Sequence, residues 1–134
     1  MNRLPVSPAA VTPDNAPFFE GLEEGRVVLP RCRRCGHVIW YPRHFCPVCG
    51  SAEVGWFQAS GRGTVYSFTV VRRGQGEWAT AAPYVVAYVE LEEGPRLLTN
   101  IVGAEPGAVS IGARVVGVID RMDDAPPVLR FRPA

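Results

Sequence analysis

The sequence predicts a mainly β protein: a short N-terminal helix, a small ribbon clasped by four cysteines, then a five-stranded closed barrel. All four cysteines of the 134-residue chain fall into two Cys-x2-Cys pairs, Cys32/Cys35 and Cys46/Cys49. From Trp56 onward apolar residues alternate with small polar ones, and no helical period persists. Glycine-rich bends cut that stretch into five short segments, which suits a small barrel better than a seven-stranded sandwich. The implied organisation is a lead-in and helix over 1–26, the ribbon over 27–54, and the barrel over 55–134.

Pro5, Pro8 and Pro13 among small residues predict an extended lead-in, and the first dozen residues are the one stretch that reads as disordered. Asp14 or Asn15 can cap a helix whose first turn tolerates Pro17, and Gly25 is placed to end it. Phe18, Phe19 and Leu22 fall on one side of that helix, and Glu20, Glu23 and Glu24 take the rest. The two phenylalanines have no obvious internal partner, so the ribbon or a second protein are the candidates to cover them. Residues 27–30 lead into the first cysteine pair, and 38–42 join the two pairs. The strands are expected at 64–71, 84–91, 96–102, 114–120 and 128–132. A bend or bulge at 60–63, turns at 92–95 and 123–127, and a connector at 109–112 separate them. Alternation predicts that most of Trp56, Phe57, Tyr66, Phe68, Tyr84 and Tyr88 are core.

Hydrophobic content of 47% is that of an ordinary globular chain. No run of eighteen apolar residues is present, which excludes a membrane-spanning helix. The N-terminus lacks the apolar core of a secretory signal, so a cytoplasmic location is expected. A formal net charge of +1 argues against a surface built wholly for nucleic acid. All fourteen basic residues are arginine. A GC-rich coding sequence is the bland cause, but guanidinium still grips phosphate and carboxylate in pairs wherever it lies.

The cysteine spacing carries the most specific chemistry. Each pair is followed by glycine, Gly36 and Gly50, which permits the positive φ that folds backbone N–H groups back onto thiolates. Two such knuckles give tetrahedral coordination by four thiolates, and zinc is the expected ion. Iron in the same tetrahedral site is chemically possible. Disulfides fit poorly with the expected compartment and with two tight, matching loops. A closed four-thiolate shell has no open position, so the metal is expected to be structural. With four thiolates available, His37 and His44 are not needed as ligands.

Arg31, Arg33, Arg34 and Arg43 crowd around the knuckles. They either offset the charge of a metal–tetrathiolate centre or contact phosphate, and both readings stay open. Arg72, Arg73 and Trp78 lie in a glycine-containing loop that reads as flexible and as a contact surface. No Gly-x-Ser-x-Gly, no phosphate-binding glycine loop and no His-Glu metal motif is present, and no active site assembles from the residues.

Several stretches together resemble one family. They are the Phe18-Phe19-Glu20-Gly21-Leu22 helix, Leu29-Pro30-Arg31-Cys32-Arg33-Arg34-Cys35-Gly36, and Cys46-Pro47-Val48-Cys49-Gly50. The stretches 60–67 and 94–100 continue the match, which runs from about Asp14 to Pro133. The chain resembles the acyl-CoA-associated family called domain of unknown function 35, a rubredoxin-like zinc ribbon followed by an OB-fold. The resemblance implies a non-catalytic accessory subunit of a thiolase-fold enzyme acting on coenzyme A thioesters. A thiolase or a lipid-transfer-protein-like aldolase, such as one shortening a steroid side chain, is the implied partner. It also implies that the ribbon arginines are candidates to hold coenzyme A phosphates, and that Phe18, Phe19, Arg72, Arg73 and Trp78 are candidate partner contacts. No fused hydratase domain is visible, so a stand-alone or an excised subunit is expected. Two rivals remain: a single-stranded nucleic-acid-binding module, and a free-standing acyl-CoA carrier. Near-neutral charge counts against the first.

Overall fold

The architecture is described from a computed structural model covering residues 4–6 and 8–134; residues 1–3 and 7 of the expected lead-in lie outside the described residues. Helix α1 spans Ala16–Glu23 with Pro17 in its first turn, and Gly25 follows its end. Asn15 occupies the cap position, but its side chain does not cap the helix. Instead its Oδ1 accepts the Thr12 N–H at 2.7 Å, and its Nδ2 donates to the Ala10 carbonyl (3.0 Å) and the Tyr41 hydroxyl (2.8 Å). A carboxamide offers both acceptor and donors, so one buried group ties the lead-in to the ribbon. The described part of the lead-in is therefore docked, against the expectation of disorder: Leu4 is buried, and the carbonyls of Leu4 and Pro5 accept from Arg130.

In the ribbon, β1 (Val28–Cys32) pairs antiparallel with β2 (Val54–Gln58), from Val28↔Gln58 to Cys32↔Val54. Strand β2 thus begins where the ribbon was expected to end and folds back onto it. The five expected barrel strands follow: β3 (Arg62–Val71), β4 (Tyr84–Leu91), β5 (Arg96–Ile101), β6 (Arg114–Met122) and β7 (Ala125–Pro133). They close in the order β3-β4-β5-β7-β6. A short parallel contact, Ile101↔Phe131, joins β5 to β7, and residues 62–64 pair with 114–116 to complete the ring. Strand β7 starts three residues earlier than the sequence predicts and takes in Pro126 and Pro127. The reason is local: the β6–β7 register shifts between Asp120 and Met122, so neither proline has to donate to a regular ladder there.

Alternation sends Val85, Ala87, Val89 and Leu91 of β4 inward, where they meet Val65, Leu97, Val115 and Phe131. That cluster is continuous with Phe18 and Leu22 of α1 and with Val27 and Leu29 of the ribbon. Helix, ribbon and barrel therefore share one apolar core. Of the two candidate covers for the phenylalanines, the ribbon supplies one. Phe18 is 6% exposed with its ring 5.2 Å from that of Trp40, and Phe19 packs half-buried beside it. The strand aromatics divide evenly rather than being mostly core. Trp56, Phe57 and Phe68 pack half-buried on the cluster, whereas Tyr66 and Tyr88 face outward and Tyr84 packs under Trp78. Tyr66 is the extra residue where the β3–β4 register shifts between Val65 and Ser67, and a bulge of this kind re-aims its side chain. Among the described residues no helix is long and apolar enough to cross a membrane.

Candidate metal centre

Both cysteine pairs are folded by the same backbone pattern. The Cys32 N–H donates to the His37 carbonyl (2.9 Å), and the Gly36 N–H donates back to the Cys32 carbonyl (2.9 Å). Fourteen positions on, Cys46 N–H donates to Ser51 O and Gly50 N–H to Cys46 O, each at 2.8 Å. Gly36 and Gly50 sit at φ +83° and +78°, the left-handed conformation that closes each loop and that a side chain would oppose. The two knuckles face each other. Cys32 Sγ lies 3.5 Å from Cys49 Sγ, Cys35 Sγ 3.6 Å from Cys46 Sγ, and all four sulfurs lie within 4.8 Å of one another.

These separations suit a metal and not disulfides. An S–S bond is about 2.05 Å. A tetrahedron of thiolates bound at about 2.3 Å has edges of about 3.8 Å. The electrostatics agree. Cys32 is held well below its ordinary value, at about 6, chiefly because the Cys35 backbone N–H, 3.4 Å from its sulfur, stabilises the thiolate. Cys35 moves the opposite way, to about 12: the His37 backbone N–H pulls it down, but burial and the crowding of the other three sulfurs outweigh that. For Cys46, burial pushes up, yet the Cys49 and Val48 N–H groups bring it below its ordinary value. One or two thiolates are welcome in this cage, and four are tolerable only around a cation. The residues present thus fit a soft, tetrahedral metal ion. Ile39, buried with Cys32 and Cys46 and flanked by Val54, is nearly all the apolar core that the knuckles possess.

The arginines expected around the centre take different positions. Arg31 lays its guanidinium over the Phe57 ring at 4.2 Å. Arg33 lies across β2 so closely that a Cβ on Gly55 would stand 2.5 Å from its Nε. Arg43 donates to the Tyr41 carbonyl, and Arg34 is exposed. The exposed His44 ring contacts Asp14 at 3.2 Å, and His37 is exposed. The 72–83 loop, read as flexible, is folded: residues Gly76–Ala79 form a 3-10 turn, and Trp78 is half-buried with its ring 4.7 Å from that of Tyr84. Arg72 and Arg73 are exposed. The structure also brings forward pairings that the sequence did not show. Asn15 and Tyr41 form the lead-in clamp, and Arg130 pairs with Asp120 inside the barrel end at 3.0 Å. No local motif marks either: Asn15 and Tyr41 stand 26 residues apart, and Asp120 and Arg130 meet across the β6–β7 pair.

Comparison with known proteins places the architecture. Residues 19–55 match the family described as ChsH2, rubredoxin-like zinc ribbon domain, and residues 56–120 match ChsH2, C-terminal OB-fold domain. A DUF35 domain-containing scaffold protein of Methanocaldococcus jannaschii is 39% identical over 70% of this chain and 67% of its own length. The chain belongs to the DUF35 family. A probable enoyl-CoA hydratase alpha subunit of Thermomonospora curvata is 41% identical over 93% of this DUF35 chain, which spans only 39% of that longer protein. Among solved structures, a chain of the Ltp2-ChsH2(DUF35) aldolase superposes with a TM-score of 0.83 at 40% identity, covering 93% of this chain and 98% of that one.

Proposed function

We propose that this DUF35 chain is a non-catalytic accessory subunit of a thiolase-fold enzyme that acts on coenzyme A thioesters, such as an aldolase. The observation that carries the reading is the likeness, along nearly the whole chain, to a component of the Ltp2-ChsH2(DUF35) aldolase. The scaffold and hydratase-subunit names of the two relatives support the same role. In this reading zinc fills the four-cysteine cage as a structural ion. The chain works in the cytoplasm, and the acyl chemistry belongs to the partner.

Co-expression with the thiolase-fold subunits encoded in the same genomic neighbourhood tests it. A heteromer that survives size-exclusion chromatography is expected; a chain that stays monodisperse and indifferent to every such subunit rules the reading out.

Within that role, the exposed Arg34 and its neighbour Arg33 are the proposed contacts for coenzyme A phosphates, with Arg31 and Arg43 beside them. Calorimetric titration of the heteromer with a coenzyme A thioester should show weaker binding for an Arg33→Ala, Arg34→Ala double variant, by about tenfold or more if each loses a charged hydrogen bond. Equal affinities would clear these arginines of the role.

A further inference from the structure

An open groove of about 510 Å³ runs over the outer face of β4 and β5, and the folded 72–83 loop forms its wall. Its floor is Val86 and Leu98 with Asn100 and the edge of Thr99 beside them, and its side is the Trp78–Tyr84 aromatic pair. Leu98 is 64% exposed although it lies mid-strand. The wall is built, not a chance drape. Trp78 N–H donates to Gln75 O at 3.0 Å, Ala81 N–H donates to Trp78 O at 3.2 Å, and any Cβ on Gly74 would collide with the Trp78 carbonyl at 2.2 Å. Exposed Tyr88 stands opposite Leu98 in the β4–β5 ladder, so the face presents an aromatic and an aliphatic anchor side by side.

The charges on this face are unequal. Arg96 is satisfied: its Nε lies 2.9 Å from Glu90, and its guanidinium stacks on Tyr66 at 3.8 Å. Arg73 is the sole charged side chain lining the groove, no carboxylate lines it, and neither Arg73 nor the adjacent Arg72 is in an ion pair among the described residues. A carboxylate on a bound segment would meet Arg73 with no competing acid in the groove. The aliphatic floor takes an aliphatic or aromatic side chain, and tryptophan, tyrosine and arginine around such a pocket are the groups that concentrate binding energy at protein interfaces. A nucleic acid strand fits less well, because its affinity needs several uncompensated cations along a track.

We infer that this groove docks a loop of the enzyme subunit carrying a large apolar side chain next to a carboxylate. The inference rests on the accessory-subunit reading and deepens it by naming the surface and the chemistry of what it receives.

The test uses the heteromer. Leu98→Asp and Arg73→Glu should each weaken assembly roughly 30-fold or more, as loss of an interface anchor does. Ile111→Asp, at an equally exposed position outside the groove, should leave it unchanged, and metal content and melting temperature should match wild type in all three. A photoreactive phenylalanine analogue at position 98 should cross-link to one partner segment containing an apolar residue beside Asp or Glu. If wild type assembles and both groove variants assemble equally well, the groove is not the dock. A cross-linked segment rich in lysine or arginine would also overturn the proposal, as would groove variants that lose only oligonucleotide binding. If wild type itself forms no heteromer, the accessory-subunit reading fails and this proposal falls with it.

Discussion

Cys49→Ser should abolish metal binding and melt the ribbon, although Cys49 itself is exposed. That exposure makes it the cleaner variant. Cys32 and Cys46 belong to the small Ile39 cluster, so replacing them disturbs packing and coordination together. Serine at 49 removes one thiolate from a cage whose sulfurs otherwise only repel one another as they ionise. A structural zinc site contributes about 10–16 kcal/mol of apparent binding free energy. That is comparable to the whole stability of a small domain, about 5–15 kcal/mol. The ribbon has too little apolar core to substitute. Because Val27 and Leu29 belong to the same cluster as the barrel strands, the loss should propagate into the barrel's own unfolding transition. Metal content by mass spectrometry, read beside urea unfolding, checks this. A Cys49→Ser protein that lacks metal yet keeps the wild-type midpoint would show that the metal does not hold the fold. Cys32→Ser should fail at least as badly, and both should lose assembly with a partner.

The metal centre was legible in the sequence because its determinants are local. Ligand spacing and a glycine after each pair fix the two backbone loops without help from distant residues. The strands were legible for a similar reason, since alternation is a property of neighbours. Where the sequence misleads or leaves a choice open, contacts outside the local pattern decide. Asn15 looks like a helix cap until Thr12 takes its Oδ1, and the Ala10 carbonyl and Tyr41, 26 residues away, take its Nδ2. For Phe18 the ribbon and a second protein are both candidate covers, and Trp40 of the ribbon packs on it. Pro126 and Pro127 look like a turn, yet a register shift with β6 lets them lie in a strand. Tyr66 reads as alternating core, and a bulge turns it out. The groove beside Leu98 differs in kind: its wall is a loop folded by short-range contacts, the close approach of Gly74 to Trp78 and two backbone hydrogen bonds within 75–81, which carry no sequence signature.

Arg130→Met should destabilise the protein by about 3–5 kcal/mol, the usual consequence of removing one partner of a buried ion pair. The Arg130 side chain is 4% exposed and that of Asp120 15%, so water is a poor substitute for the guanidinium that stands 3.0 Å from the carboxylate. The same guanidinium holds the lead-in: Nη2 donates to the Pro5 carbonyl at 2.6 Å and Nη1 to that of Leu4 at 3.4 Å. Two functions therefore sit on one side chain, and a second variant separates them. An Asp120→Leu, Arg130→Met double variant replaces both charges by apolar groups at the barrel end, where both side chains share the lining of a separate pocket with Ile101, Val118 and Ile119. Such replacements are commonly neutral or stabilising, so the double variant should recover most of the lost stability, to within about 1 kcal/mol of wild type. It should not recover the lead-in, because no donor remains for the Leu4 and Pro5 carbonyls. Limited proteolysis should accordingly cut near residues 4–12 faster in both variants than in wild type, while urea midpoints distinguish the two. A double variant no more stable than Arg130→Met would mean that the penalty comes from releasing the lead-in and not from the lost ion pair. Wild-type proteolysis in both would mean that Asn15 alone anchors the segment. The expected split, stability restored and the strap still loose, assigns Arg130 its two tasks: neutralising Asp120 inside the barrel and fastening the chain's first described residues across its end.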